Sequence, residues 1–171
     1  MNFLKRNWLA AIAFLLITFL ITGYALLAYS SDGSGGSVPR PSGVTVDAVK
    51  STISDPGVYR DIHLLHERFN ELMGYGADKR VVPRTANLAE ELIRLAEMTE
   101  QTSGKIQQDL DIILSVIEKA QLENDKEGFY VAHRILHDLD IELNGYGGDS
   151  LYWGYTVSFN DSRIGSDFLK D

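Results

Sequence analysis

The sequence predicts a mainly α-helical protein: an N-terminal transmembrane helix, then an up-and-down bundle of three or four helices, then an extended aromatic strap at the C-terminus. Three observations support this prediction. Residues 8–29 form an apolar run without a charged side chain. Between residues 55 and 143, apolar side chains recur every three or four positions, which is the period of an amphipathic helix. After residue 144 the chain is rich in glycine and aromatic residues that alternate with a period near two.

The apolar run at residues 8–29 is long enough to cross a membrane. As a helix it covers roughly 33 Å at about 1.5 Å per residue, and a bilayer core is about 30 Å thick. Lys5 and Arg6 precede the run, and no basic residue follows it before Arg40, which favours an N-terminus inside the cell. The sequence therefore predicts a single-pass cell-membrane protein with a basic cytoplasmic segment at residues 1–7 and an extracytoplasmic C-terminal domain.

The alternative for the same run is a long, cleaved signal peptide. Ala28-Tyr29-Ser30 could serve as the cleavage site, although the run is longer than the apolar part of most such signals. Both interpretations export the rest of the chain. Residues 30–43 are a Ser, Gly and Pro segment too poor in apolar side chains to pack, which predicts a flexible linker. Residues 44–171 then form the helical domain.

The first part of this domain predicts one short helix and one long helix. Thr45 can cap a short helix, although a short strand is the alternative there. Asp55 followed by Pro56 marks the start of the long helix, because Asp is a good N-cap and Pro suits the first helical position. The apolar face expected for the long helix is Val58, Ile62, Leu65, Phe69 and Leu72.

The next part predicts three more helices. Asn87 and Glu90 form a capping-box signature at the start of the first, which runs to about Thr102. Gly104 is expected to separate the first from the second, because glycine costs a helix interior about 1 kcal/mol relative to alanine. The third is expected from about residue 126 to residue 143, before Gly145. The core residues expected on the second and third are Ile106, Leu110, Ile113, Ile117, Ala120, Ala132, Ile135, Leu136, Leu139 and Leu143.

The C-terminal segment has a different pattern. From Leu151 to Phe159 the odd positions are apolar, which is typical of an extended chain with one buried face. We expect a strap across the bundle that buries Trp153 and Phe159. If the strap were exposed, Tyr152, Trp153 and Tyr155 would form a contact surface for a partner.

Composition excludes several functions. The chain has 16 basic and 24 acidic residues, a net charge of −8, which disfavours binding to nucleic acid. It contains no cysteine, so disulfides, thiolate catalysis and cysteine zinc sites are absent. An exported domain without disulfides is typical of a bacterial surface. No serine lies in a GxSxG motif, and the glycine-rich stretch at residues 145–149 opens no helix, so we predict no enzymatic activity.

All four histidines occur in two close pairs, His63 with His66 and His133 with His137. Spacings of three and four place each pair on one helical face, the geometry from which a bundle can bind a transition-metal ion or haem. The carboxylates that could orient these rings are Asp61, Glu67, Asp138 and Asp140. The more common role of such histidines is a hydrogen bond to a carbonyl or carboxylate.

The sequence thus leads to two functional hypotheses of different classes. The first is a membrane-anchored, extracytoplasmic, non-enzymatic helical module that binds an unidentified protein partner or senses a signal at the surface. This hypothesis requires no cofactor. The second is a metal- or haem-binding protein that uses the paired histidines.

Overall fold

The computed structural model describes residues 44–73, 87–145 and 151–170, all of which belong to Gly36–Asp171, the second of two units into which the chain divides. These residues form seven helices and no strand, which confirms a mainly α-helical protein. The helices are α1 (Val46–Lys50), α2 (Gly57–Met73), α3 (Ala89–Glu100), α4 (Gly104–Glu123), α5 (Lys126–Asn144), α6 (Val157–Asn160) and α7 (Ile164–Phe168).

The predicted localisation as a single-pass membrane protein is contradicted. Among the helices of residues 44–73, 87–145 and 151–170, none is long and apolar enough to cross a membrane. The predicted span at residues 8–29, the cytoplasmic segment 1–7 and the linker 30–43 lie outside the described residues.

Local capping sets where the predicted helices begin. The Thr45 side chain accepts a hydrogen bond from the backbone of α1, so helix rather than strand forms there. At the start of α2, Asp55 Oδ1 accepts from the Gly57 amide at 2.7 Å. Gly104, the first residue of α4, has φ +71°, a backbone conformation that L side chains rarely adopt. The helical path therefore breaks here, between α3 and α4. Gly145, with φ +69°, caps the end of α5.

The four long helices pack through their predicted apolar faces. Helix α5 makes its most extensive contacts with α4 and α2, while α3 packs mainly on α4. Each core residue predicted on α4 and α5 is buried. On α2, Val58, Ile62, Leu65 and Phe69 are buried, while Leu72 is partly buried. The contact between α2 and α5 is the one that carries the histidines.

The C-terminal segment differs from its prediction in two ways. Its pattern favoured an extended chain as far as residue 159, but only residues 151–156 lack helix, and two short helices follow. The buried side is also the opposite one over residues 151–158: the even positions, from Tyr152 to Ser158, are buried, whereas Trp153 is only half-buried. Phe159 is buried as expected. The reversal follows from backbone bonds to Asp138, described below.

Replacing Gly165 by alanine is expected to lower the free energy of unfolding by about 1 to 3 kcal/mol. Helix α7 packs so closely on α4 that a Cβ atom at Gly165 would lie 2.4 Å from Ile112 Cγ2. Isoleucine is branched at Cβ and moves little, so this clash outweighs the gain in helix propensity. Urea unfolding of the variant measures the loss.

The neighbouring substitution Ser166→Ala is the control. Ser166 is half-buried, and we expect its change to stay within about 0.5 kcal/mol of the parent protein. Equal stability of Gly165→Ala and Ser166→Ala would contradict the close packing of α7 on α4.

Candidate functional site

The two histidine pairs meet at the contact between α2 and α5. The ring centre of His66 lies 5.0 Å from that of His137 and 5.5 Å from that of His133, and His133 and His137 are 6.5 Å apart. These three side chains are buried, with 0 to 5% of their surface exposed. The side chain of His63 is 46% exposed and joins the group at its edge. We call these four residues with Asp140 and Asn70 the histidine network.

Asp140 is the centre of the histidine network. Its Oδ2 lies 2.8 Å from His66 Nδ1 and 3.0 Å from His63 Nδ1. Its Oδ1 accepts from Asn144 Nδ2 at 2.7 Å, and the same amide group donates to the Tyr59 carbonyl at 2.8 Å. Burial raises the pKa of Asp140, but the hydrogen bonds from His66, Asn144 and His63 together lower it by more. The pKa of Asp140 therefore lies below its ordinary value. Asp140 therefore stays ionised and holds both histidines of α2.

Asn70 connects the two histidine pairs. Its Nδ2 lies 3.2 Å from His66 Nε2, and its Oδ1 lies 2.9 Å from His133 Nε2. An amide nitrogen only donates and an amide oxygen only accepts, so His66 Nε2 is an acceptor and His133 Nε2 carries a proton. With Nδ1 of His66 donating to Asp140, His66 is a neutral imidazole in this arrangement. The second Nδ2 proton of Asn70 reaches Glu67 Oε1 at 3.3 Å.

His133 is held in its neutral form. Desolvation by burial, together with the nearby rings of His66 and His137, lowers the pKa of His133 to about 3. Phe69, fully buried on α2, stacks beside the His133 ring at 6.5 Å with an interplanar angle of 19°. The hydrocarbon of Phe69 keeps water away from this side of the ring.

Trp153 contacts the two histidines of α5. Its ring stacks on His137, with centres 4.1 Å apart and planes at 22°, and lies 6.3 Å from His133. The guanidinium group of Arg134 lies over three aromatic rings, at 3.9 Å from Tyr130, 4.9 Å from Trp153 and 5.1 Å from Tyr155. Cation–π attraction of this kind holds the tryptophan in place.

Two buried carboxylates bind the backbone of the C-terminal segment. Asp138 accepts from the amides of Trp153 at 2.8 Å and Tyr155 at 2.7 Å. Between them Gly154 has φ +77°, a left-handed conformation that glycine adopts without strain. Asp109 accepts from the amides of Val157 and Ser158 and from the Ser158 hydroxyl, at 2.6, 3.0 and 2.5 Å. Backbone amides that would pair in a sheet are thus satisfied by side chains.

Burial raises the pKa of Asp109 to about 7, although the bonds from Ser158 and Val157 act in the opposite direction. The charge of Asp138 adds to the rise. Asp109 had no part in the sequence prediction. The available signal was its position three residues after Ile106, which places a carboxylate on the buried side of α4.

The predicted site residues have different outcomes. Of the carboxylates expected to orient the histidines, Asp140 does so directly, while Asp138 lies 3.7 Å from His137 Nδ1 and mainly binds backbone amides. Asp61 instead pairs with Arg94. Tyr152, expected in the contact surface, is buried, with its hydroxyl 2.9 Å from Thr156 Oγ1. Trp153 and Tyr155 are half-buried.

Three of the histidine rings lie close together and His63 joins them through Asp140, but the ring nitrogens of His66 and His133 contact Asn70 instead of facing each other. In the part of the chain that the structure describes, no group of three or more histidine, aspartate or glutamate side chains is arranged to hold a metal ion. The Asn70 amide lies between the two imidazole nitrogens that would otherwise face a shared ion. Metal or haem binding therefore stays a prediction.

Comparison of the chain with protein-family models, with curated proteins and with solved structures finds no match.

Proposed function

We propose that this chain is a non-enzymatic helical sensing module whose α2–α5 contact responds to protonation of the histidine network. The observation that supports the proposal best is the convergence of all four histidines, three of them buried, at one helix contact. Imidazole is the side chain whose ordinary pKa lies nearest to neutral pH, and burial makes its charged form costly in stability. The packing of α2, α3, α4 and α5 on one another supports the up-and-down bundle as part of this proposal. Residues 151–156, which lie in neither helix nor strand, support a strap shorter than the one the sequence predicts.

The Asn70 amide couples the two halves of the response. A proton added to His66 Nε2 would face the Nδ2 protons of Asn70, so the amide must turn to present its oxygen. The amide nitrogen would then donate to His133 Nε2. The His133 ring must therefore lose its proton from Nε2 and carry one on Nδ1 instead. The turn also breaks the bond from Asn70 to Glu67. Protonation on α2 therefore changes the hydrogen bonding of α5.

Charged groups around the histidine network set its response. Asp140 faces His63 and His66, Glu67 faces Asn70, and Asp138 lies beside His137. The guanidinium group of Arg134 lies 4.9 Å from the centre of the Trp153 ring, which stacks on His137. Helix α4 contributes Asp109, whose charge interacts with that of Asp138. Because the net charge is −8, we expect another protein, rather than nucleic acid, to detect the change.

Replacing Asn70 by aspartate tests the coupling. A carboxylate only accepts, so it favours a protonated nitrogen on both neighbouring rings and is expected to raise the pKa of His133 from about 3 by about one to three units. Ring ¹⁵N chemical shifts of the full chain, followed against pH, give the protonation of each nitrogen. In the unchanged protein we expect protons on His66 Nδ1 and His133 Nε2 at neutral pH.

The control for this experiment is Leu64→Asp, which adds a carboxylate at an exposed position of α2. The ring shifts of His133 should follow pH as in the parent protein. If Asn70→Asp and Leu64→Asp gave the same His133 titration, the amide would not transmit protonation, and the proposal would be abandoned.

Stability against pH provides a second test, because two buried groups act in opposite directions. The unfolded pKa of His133 is about 6.5 and its folded pKa about 3, so the unfolded chain holds the extra proton and the free energy of unfolding falls as pH drops below about 6.5. For Asp109 the folded pKa is about 7 and the unfolded pKa about 4, so the folded chain holds the proton and stability falls as pH rises from 4 to 7.

His133 and Asp109 each change the free energy of unfolding by roughly 1.4 kcal/mol per pH unit, with opposite sign. The two contributions therefore largely cancel between about pH 4.5 and 6. Removing one group should reveal the other. We expect Asp109→Asn to make the free energy of unfolding rise with pH across this window and His133→Gln to make it fall. Urea unfolding of both variants and the parent protein measures these slopes. Parallel slopes in the two variants would contradict the opposing roles.

The alternative from the sequence, a metal- or haem-binding protein, gives a different result. Equilibrium titration with zinc, copper and haem would show tight binding that disappears in a His133→Ala, His137→Ala double variant. Such binding would replace the proton-sensing proposal, because a bound ion would occupy the nitrogens that Asn70 contacts.

A further inference from the structure

Residues 151–156, which we call the cover segment, lie against the two histidines of α5. The cover segment is neither helix nor strand. It places the Trp153 ring against His137 at 4.1 Å and near His133 at 6.3 Å. His133 and His137 are 5% and 3% exposed with this ring in place. Access to the two histidines of α5 therefore depends on the cover segment.

The cover segment is attached mainly by polar contacts. Two anchors hold it to the bundle: Asp138, which accepts from two of its amides, and Arg134, whose guanidinium group lies over its rings. Within the C-terminal region, Asn160 Nδ2 of α6 also donates to the Gly154 carbonyl at 3.0 Å. Arg134 Nη1 also donates to the Tyr155 hydroxyl at 3.0 Å. Both anchors come from α5. The Tyr152 side chain packs into the hydrophobic core, and the half-buried Tyr155 ring packs against it.

The residues that follow the cover segment have a separate attachment. Asp109 of α4 binds the first two amides of α6, and Phe159 of α6 is fully buried. Breaking the contacts to Asp138 and Arg134 leaves these contacts unchanged. The cover segment thus has a latch on α5 and a fixed end on α4.

We propose that the cover segment detaches from Asp138 and Arg134 while α6 stays anchored, and that this opening admits water and protons to His133 and His137. The inference builds on the proposed function, because it controls how fast the same histidines exchange protons with solvent. Water can replace Asp138 as the acceptor for the two amides of the cover segment, so the released state leaves no buried donor unpaired. Opening exposes the buried Tyr152 ring and the half-buried rings of Trp153 and Tyr155, which keeps the closed state the major one.

Histidine footprinting with diethyl pyrocarbonate on the full chain at neutral pH tests this opening, since the reagent modifies only imidazoles that it can reach. Peptide mass spectrometry gives a rate for each histidine. His63, with a side chain 46% exposed, should react fastest, and His133 and His137 should be protected. We expect Asp138→Asn to raise the rates of His133 and His137 by about tenfold or more, because an amide can accept only one of the two bonds well. The rate of His63 should stay within about twofold of the parent value.

Arg134→Gln is the second variant, in case Asp138→Asn fails to fold. It removes the cation from the three rings without changing a core residue and should raise the same two rates by a smaller factor. Asp161→Asn is the control, because Asp161 is exposed and pairs only with Lys105 among the described ion pairs. A folded Arg134→Gln protein with unchanged His133 and His137 rates would overturn the proposal, as would equal acceleration of all four histidines with native circular dichroism.

This result does not depend on proton sensing. If His133 and His137 react faster in the variants as expected, but Asn70→Asp leaves the His133 titration unchanged, the opening of the cover segment is supported and the sensing function is rejected. The opposite pair of results would keep the sensing function and reject the cover segment.

Discussion

Replacing Asp140 by alanine is expected to lower the free energy of unfolding by about 3 to 5 kcal/mol. The Asp140 side chain is fully buried and accepts from His66, His63 and Asn144. Alanine leaves the Nδ1 proton of buried His66 without its acceptor, and an unpaired buried donor costs its full desolvation energy. The loss falls on the contact between α2 and α5, which the remaining apolar faces of these helices must then hold alone.

Urea unfolding monitored by circular dichroism measures this loss. Asp140→Asn keeps the shape of the side chain and one acceptor oxygen. We therefore expect its free energy of unfolding to fall by less than that of Asp140→Ala. Asp111→Ala is the control, because Asp111 is exposed on α4, and its change should be within about 0.5 kcal/mol. A loss below about 1 kcal/mol for Asp140→Ala would show that the histidine network does not hold α2 to α5.

Replacing Phe69 by alanine is expected to cost about 3 to 5 kcal/mol as well, for a different reason. Phe69 is fully buried and its ring stacks beside His133, so its removal opens a cavity against the imidazole. Water in that cavity would reduce the desolvation that lowers the pKa of His133. We therefore expect the pKa of His133 in the variant to rise from about 3 toward its ordinary value.

Two measurements separate these effects. Urea unfolding gives the change in stability, and the ring ¹⁵N shifts of His133 against pH give the change in its pKa. Leu122→Ala is the control, since Leu122 is 88% exposed and should change neither quantity. If stability falls while the His133 titration stays unchanged, Phe69 contributes to packing but does not keep water away from the His133 ring.

The histidine network was partly predictable. On each helix a tyrosine and a histidine lie beside the apolar stripe, and two such polar stripes favour a shared buried site. Asp140 was one of four carboxylates expected near the rings, and it holds two of them. The role of Asn70 was not predictable, because the spacing of four residues brings it near His66 but does not indicate a partner on another helix. Its bond to His133, 63 residues distant, exists only when α2 and α5 are in contact.

The sequence by itself determined helices α1 to α5, since caps such as Thr45 and Asp55, the break at Gly104 and the period of the apolar side chains act within a few residues. Only the tertiary structure decided which face of residues 151–158 is buried. Alternation of side chains predicts that one face is buried but does not say what binds the backbone. Asp138 and Asp109 bind it from 15 and 48 residues away, and these distant hydrogen bonds turn the even positions inward. Local rules therefore predict α1 to α5, whereas the buried carboxylates of α4 and α5 decide how the last segment lies on these helices.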